Sequence, residues 1–505
     1  MATEGTQRLT RIAVVLILVV GATIRLLGAT RGGLMYDEST HLAAAMTIGS
    51  GPGKVPFVWH SVDHPMMSVN LIRASTYLFG DGAPGFRALH VAFGTALLFA
   101  IFLLARRVFD ERVALWAMAL AAVDQFLVTW SYFAVPEILL LFFATLLLWQ
   151  LLRALDSRRA RDFALVGLFL GLAYLAKETA LFLIPALWLT LLLNRDWRPV
   201  LRSRGWLLAH AVALLVVLPQ VTWDLTHRFE SYLARDQSMM GSAFAVGLRV
   251  LHLFVGELKF GLRNSFDFAT VYGQQNPARV HWPAGLLYLG STGLGLLLWR
   301  HRPARPLLVT FFFIAGVFTF LPMPRFNWWW PSLAVPPAIV MAGWALQGFT
   351  EWGRHRWKSA VAARGSLILA LGFVLYLTGR SVAAADRIGQ SVERVTAEEW
   401  VRRALNVVET AQTEARIRQA DGRLVHALHI AGSDPRLTAQ LWRTACIRGE
   451  LDRAHYFQRR TQALAPGTVL VKPGDVVDPV TGCIVYRPAP APATAGDDPA
   501  AGSRR

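Results

Sequence analysis

The sequence predicts an all-α polytopic membrane protein, and three observations predict it. Hydrophobic residues make up 54% of the 505 and charged residues only 17%, where soluble domains carry about 25% charge. Apolar stretches near the roughly 20 residues that a helix needs to cross a bilayer core recur as far as residue 380. The remaining charge is sorted, with Lys and Arg gathered in alternate short loops.

Spans are expected near residues 11–30, 86–105, 113–130, 137–153, 162–176, 179–193, 206–222, 283–300, 307–321, 328–347 and 364–380. The pairs around Asp124–Glu137 and around Lys177 read as broken or tilted helices, tolerated only where protein or a wet cavity surrounds the backbone. The first span is expected to be an uncleaved anchor, since Leu27-Gly28-Ala29-Thr30 is a poor cleavage site and a charged motif follows at once.

Arg8 and Arg11 place the N-terminus in the cytoplasm. The same side then receives Arg106, Arg107 and Arg112; Arg153, Arg158, Arg159 and Arg161; Arg195, Arg198, Arg202 and Arg204; Arg300, Arg302 and Arg305; and Arg354, Arg356, Lys358 and Arg364. Most of the net charge of +18 is therefore a topology signal, and no nucleic-acid partner is expected. Eleven crossings leave the C-terminus outside; ten or twelve would reverse it. Two cysteines are too few for a disulfide framework or a Cys-rich zinc site.

Residues 1–380 form the expected membrane domain. Its first outer loop, 31–85, carries two stretches too short to cross, His41–Ile48 and Met66–Phe79, expected to lie as interfacial helices. Its second long outer loop is 223–282, with Tyr272, Gln274, Gln275 and Trp282. Residues 381–487 read as a mainly helical extracytoplasmic domain. In it, Gly432-Ser433-Asp434-Pro435 is a turn before a helix, and 434–464 is similar to one helical-hairpin repeat. A strand-rich piece follows at Val469–Val471, Val476–Val477 and Cys483–Tyr486. The Pro/Ala/Gly-rich tail 488–505 reads as disordered.

The outer side holds the chemistry. Tyr36-Asp37-Glu38-Ser39-Thr40-His41 follows the first span, and two carboxylates at a membrane boundary are costly to desolvate. A general base is one reading, since burial raises a carboxyl pKa. Capping of the following helix is another, and a divalent metal on Glu38 and His41 at i, i+3 is a third. Pro65 can open the interfacial helix with Asp63 or His64 as its cap, or His64 can contact a phosphate or sugar. Arg87 opens the second span facing outward, to hold an anionic head group or to snorkel. Glu137 stands at the outer start of a helix and Lys177-Glu178 at an outer turn, where an ion pair of Lys177 with Glu137 or Glu178 is the structural alternative. Arg325-Phe326-Asn327 precedes Trp328–Trp330, which reads as an aromatic belt or as a sugar-stacking surface. Carboxylates and cations gathered on one side suit transfer from an anionic lipid-linked donor.

The ordered set resembles the protein O-mannosyltransferase and aminoarabinose-transferase family, with its GT-C-type glycosyltransferase fold. It consists of Asp37-Glu38, His64-Pro65, Arg87, Glu137 after Ser-Tyr-Phe, Gly171–Leu181, and Arg325-Phe326 before Pro331, Pro336 and Pro337, and covers about 10–350. The resemblance implies a polyprenyl-phosphate sugar donor, an inverting transfer on the extracytoplasmic face, and Asp37, beside Glu38, as general base toward an acceptor on protein, lipid or glycan. It implies donor-phosphate binding by Arg87, Lys177 and Arg325. Tyr36, His41, His64 and Glu137 are then the expected sugar or acceptor contacts. The family often has Asp where Glu137 stands and Arg-Tyr where Arg325-Phe326 stands. No cofactor is required, and a divalent metal is the secondary expectation. A bacterial plasma membrane suits the Ala- and Arg-rich composition. The alternatives are a transporter or flippase for polyprenyl-linked sugars, which predicts internal repeats and midplane charges, or an assembly factor.

Overall fold

The structure is a computed structural model that describes residues 4–31, 38, 41, 42, 45, 65–80, 82–226, 254, 280–320, 330–356, 360–393, 424, 428, 434–447, 449–468, 470, 471 and 477–484. The chain divides into two compact units, and along its C-terminal part the division falls between Val395 and Thr396.

The membrane unit is built from α1 (Glu4–Arg31), α2 (Met67–Phe79), α3 (Ala83–Val108), α4 (Glu111–Val123), α5 (Gln125–Tyr132), α6 (Pro136–Ser157), α7 (Ala160–Ala176), α8 (Leu183–Leu192), α9 (Arg204–Thr226), α10 (Trp282–Leu294), α11 (Arg305–Phe320), α12 (Val335–Arg356) and α13 (Ala360–Glu393). Single 3₁₀ segments lead into α8 (Glu178–Phe182) and α12 (Trp330–Ala334) and extend α10 (Gly295–Arg300). The eleven expected spans coincide with these helical segments wherever the residues are described, apart from Asp124 at the break between α4 and α5 and Leu193 after α8. Among the described residues, six helices are long and apolar enough to cross a membrane alone, seven if α4 and α5, bent by 57°, count as one span.

Local sequence explains the starts and breaks. Asp110 caps α4, its carboxylate accepting from the amides of Arg112 (2.8 Å) and Val113 (2.9 Å). Asp124 does the same for α5 through the Leu127 amide at 2.8 Å, so one carboxylate ends one helix and begins the next. Pro84 and Pro136 sit in the first turns of α3 and α6, where a missing N–H costs nothing. Helix α13 runs unbroken past residue 380 to Glu393, because no Pro interrupts Ser381–Glu393.

Every residue of α5 is buried, as is most of α6. Around them α1, α9 and α13 expose apolar side chains such as Val15, Leu16, Leu214, Leu215, Ile368 and Leu369. In water such a belt would be an aggregation surface; in lipid it is the expected exterior. Helix α2 covers the stretch Met66–Phe79 that was expected to be an interfacial helix. It buries Val69 and Ile72 and exposes Tyr77, Leu78 and Phe79. Met66 occupies the cap position expected for Asp63 or His64, with its amide donating to Gln220 Oε1 at 3.3 Å.

The C-terminal unit contains α14 (Pro435–Ile447) and α15 (Leu451–Leu464), the expected helical hairpin. Leu437, Leu441, Trp442 and Ala445 on one helix and Ala454 and Phe457 on the other are buried, and Thr461 donates its hydroxyl hydrogen to Thr438 at 2.8 Å. Among the described residues the expected strands reduce to an isolated antiparallel bridge, Val477–Ile484. A tight turn between them closes the bridge, with the Gly482 amide donating to the Asp478 carbonyl at 2.8 Å. A disulfide joins Cys446 on α14 to Cys483 beside that bridge. The expected amphipathic pattern over Val395–Val408 and the tail 488–505 lie outside the described residues.

Candidate functional site

Three helix ends meet around Glu38. Glu38, His41, Leu42 and Ala45 are helical and buried, at the i, i+3, i+4, i+7 spacing of one helical face. Glu38 Oε1 accepts from Arg87 Nε at 2.7 Å and from the Ala134 amide at 2.8 Å, and Oε2 accepts from Arg87 Nη2 at 2.6 Å. Arg87 Nη1 donates to the Ala29 carbonyl, at the end of α1, at 3.0 Å. Its guanidinium also lies 5.4 Å from the Phe86 ring centre and 5.6 Å from that of Phe133, a cation–π setting. Both charged side chains are 0% exposed. Such a pair persists away from water only when the fork geometry and the remaining hydrogen bonds are both satisfied, and here they are.

A second buried ion pair lies just beyond. Lys177 Nζ bonds to Glu137 Oε1, with side chains 3% and 4% exposed. Glu137 sits in the first turn of α6 and Lys177 is the C-terminal cap of α7. Each charge therefore complements the dipole of its own helix. The connector Phe133–Pro136 links the two pairs: Phe133 faces Arg87, the Ala134 amide reaches Glu38, and Glu137 follows. The ends of α1, α5 and α7 and the starts of α3 and α6 thus come together around the two pairs.

The expected site residues fall into three groups. Glu38 and Arg87 meet, and so do Glu137 and Lys177, the structural alternative for that lysine. His41 is 3% exposed, on the Glu38 face. Tyr36, Asp37, His64 and Arg325 lie outside the described residues. Arg87 and Lys177 were expected to bind the donor phosphate, with an ion pair to Glu137 as the alternative for Lys177. Here each is committed to a buried carboxylate, because a lone cation at these depths is too costly. Among the described residues no cluster of three or more His, Cys, Asp or Glu is placed to hold a metal, and Glu38 spends both oxygens on Arg87 and Ala134.

Sequence reading missed the Ala134 amide, since backbone donors leave no mark on side-chain patterns. It also missed Arg25, which is 0% exposed. An arginine near the end of an apolar run ordinarily snorkels, and only the polar Asp124 and Ser131 farther along hinted at partners.

Residues 63–223 match the family model described as dolichyl-phosphate-mannose-protein mannosyltransferase. A stretch of 165 residues is 33% identical to the lipid A galacturonosyltransferase RgtD of Rhizobium johnstonii, covering 32% of this chain and 34% of that protein; the chain matches about a third of that relative's length. Among solved structures, the Archaeoglobus fulgidus oligosaccharyltransferase AglB, in complex with an inhibitory peptide and a dolichol-phosphate, aligns with a TM-score of 0.54 at 14% identity, over 91% of this chain and 69% of that one. ArnT from Cupriavidus metallidurans bound to undecaprenyl phosphate aligns with a TM-score of 0.50 at 15% identity, over 89% and 75%. The helices, the family match over residues 63–223 and these alignments agree: the chain has the fold of the GT-C-type membrane glycosyltransferases.

Proposed function

We propose that the protein is an integral membrane glycosyltransferase that moves a sugar from a polyprenyl-phosphate donor to an acceptor on the extracytoplasmic face, inverting, with Asp37 as general base. The observation that carries the reading is the Glu38–Arg87–Ala134 cluster. It pins the residue covalently next to Asp37 by three hydrogen bonds at the shared ends of the helices. A base must be held within about 0.5 Å of its productive place, and an anchor on the neighbouring residue supports that role for Asp37. The relatives add support: one is a galacturonosyltransferase, and two fold neighbours were solved with polyprenyl-type phosphates.

In this reading Asp37 takes the proton of the acceptor hydroxyl as the sugar leaves its lipid phosphate. The phosphate gains negative charge, and preorganised cations stabilise it. Lys177 and Arg325 supply that charge. Arg87, with its fork given to Glu38, acts by holding the motif in place. Tyr36, His41, His64 and Glu137 remain the proposed surroundings of sugar and acceptor.

The C-terminal disulfide supports the orientation. Disulfides persist in oxidising compartments such as the bacterial periplasm. Cys446–Cys483 therefore favours an extracytoplasmic C-terminal unit, in keeping with eleven crossings of a bacterial inner membrane.

The test is mass analysis of the purified protein in lipid with a panel of polyprenyl-phosphate sugars and candidate acceptors. Wild type is expected to release polyprenyl phosphate and add one sugar mass to an acceptor. Asp37→Asn is expected to stay folded, bind donor and transfer nothing. Movement of intact donor across the bilayer without transfer would establish the transporter instead.

A further inference from the structure

The break between α4 and α5 is held by a polar network that the reaction above does not use. A break leaves carbonyls without partners, and in lipid each is costly. Arg25 on α1 donates from Nη2 to the Ala121 carbonyl at 3.1 Å and from Nη1 to that of Ala122 at 3.0 Å. Ser381 on α13 donates to the Val123 carbonyl at 2.7 Å. The three last carbonyls of α4 are thus bonded by side chains from two other helices. Across the break, Asp124 accepts from the Leu127 amide and, through its other oxygen, from the Tyr288 hydroxyl on α10 at 3.0 Å. Arg25 Nε reaches past the break to Ser131 Oγ at 3.0 Å, so one guanidinium ties the end of α4 to the last turn of α5.

Packing holds α5 at the same height. A Cβ at Gly28 of α1 would stand 2.2 Å from the Tyr132 ring, and one at Gly94 of α3 would stand 2.2 Å from Ser131 Oγ. Helix α5 then runs directly into Phe133, Ala134 and Glu137, which serve the two ion pairs. A shift of α5 along its axis moves the Ala134 amide away from Glu38.

We propose that Arg25, Asp124 and Tyr288 are positioning residues: they clamp the broken helix so that its connector presents the Ala134 amide to Glu38 and the Glu137 carboxylate to Lys177. The proposal rests on the transferase reading for its kinetic consequence, but its structural consequence stands apart from it. Arg25 is then no transport charge, although it lies within the span.

Full-length wild type, Tyr288→Phe, Arg25→Lys, Arg25→Met and Asp124→Asn are compared in lipid by hydrogen-exchange mass spectrometry over residues 125–135 and by donor-dependent transfer kinetics. Tyr288→Phe deletes one hydroxyl and keeps the ring, so it reports even if Asp124→Asn fails to fold. The clamp predicts exchange in 125–135 rising about tenfold in Tyr288→Phe, with α6 and α7 unchanged. It predicts kcat falling about 10- to 100-fold with donor KM unmoved, since misplacement near 1 Å costs about that much. Arg25→Lys is expected to recover part of the loss that Arg25→Met shows. Unchanged exchange in both Tyr288→Phe and Arg25→Lys overturns the clamp, as does raised exchange with wild-type kcat. If wild type transfers no sugar, the transferase reading fails and the exchange data alone decide the clamp.

Discussion

The membrane unit and the C-terminal unit solve the problem of fixing a polar structure in opposite ways. The first buries charge against charge. Glu38–Arg87 and Glu137–Lys177 are almost wholly unexposed, among helices whose apolar packing excludes water. The second, among the described residues, carries a covalent staple, Cys446–Cys483, on the α14–α15 hairpin. A buried pair holds geometry strictly but fails when one member is removed. A staple tolerates substitution around it but fails on reduction. The two units should therefore respond to different perturbations.

The largest expected effect is on the first. Glu38→Ala leaves Arg87 charged and buried without its partner, and such removals cost about 3–5 kcal/mol. Arg87→Ala should cost a similar amount. The apolar, shape-conserving double change Glu38→Leu with Arg87→Met should recover much of that stability without restoring transfer. Thermal unfolding in detergent, read separately for peptides of each unit, checks this. A C-terminal unit that weakens as much as the membrane unit would erase the distinction.

Next comes the staple. Cys446 and Cys483 are separated by 37 residues, and a cross-link over such a loop contributes about 2–4 kcal/mol. Cys446→Ser should lower the C-terminal transition by that amount and leave the membrane unit unmoved. Accessible thiols on reduced protein in sealed inside-out or right-side-out vesicles, probed with a membrane-impermeant maleimide, also report the orientation. Labelling from the cytoplasmic side alone would reverse the proposed topology.

Within the membrane unit, the two ion pairs differ in a way that bears on chemistry. Arg87 is fixed by a planar fork, whereas Lys177 is a point charge on a flexible stem with Glu137 as its ion-pair partner. Lys177 is the more suitable cation to exchange its carboxylate for a phosphate. Lys177→Met should lower transfer about 10²- to 10³-fold, the usual cost of losing one charge-stabilising donor, and Lys177→Arg should restore part of it. Single-turnover kinetics separate this from donor binding. A variant with wild-type turnover removes Lys177 from the reaction.

The sequence made the helices legible because run length is a one-dimensional signal. The Glu137–Lys177 pair was legible too, as one of two alternatives, since charges at neighbouring helix ends have few partners. Glu38–Arg87 was not read as a pair. The two are 49 positions apart, and each alone had an adequate local reading, Glu38 as a cap or base and Arg87 as a snorkelling cation. Arg25 was illegible for a sharper reason. Its partners Ala121 and Ala122 are backbone carbonyls freed by a helix break, and neither the break's angle nor those carbonyls leave a residue type to recognise. Cys446–Cys483 was missed because a count of two argues against a framework without arguing against a single staple.

The smallest expected effect is acid sensitivity confined to the C-terminal unit. Partial burial pushes the Asp434 carboxyl up. That is outweighed by the Arg436 guanidinium and by the Arg436 and Leu437 amides at the start of α14, and the net direction is down. Asp478 is held low by the amide of Val480 and the hydroxyl and amide of Thr481. A carboxyl whose folded pKa lies below its unfolded one contributes stability that is fully present above the unfolded value. That stability is lost as pH falls through the folded one, so the window opens below about pH 4. Hydrogen exchange over 434–464, corrected for intrinsic rates between pH 6 and pH 3, should show protection falling only at the acid end. Asp434→Asn should be less protected at neutral pH and should flatten most of that slope, because an amide has no proton to gain. A slope unchanged by Asp434→Asn would move the acid response to the Asp478 turn. There Asp478→Asn should remove it, and the hairpin start would then be set by Pro435 and the staple alone.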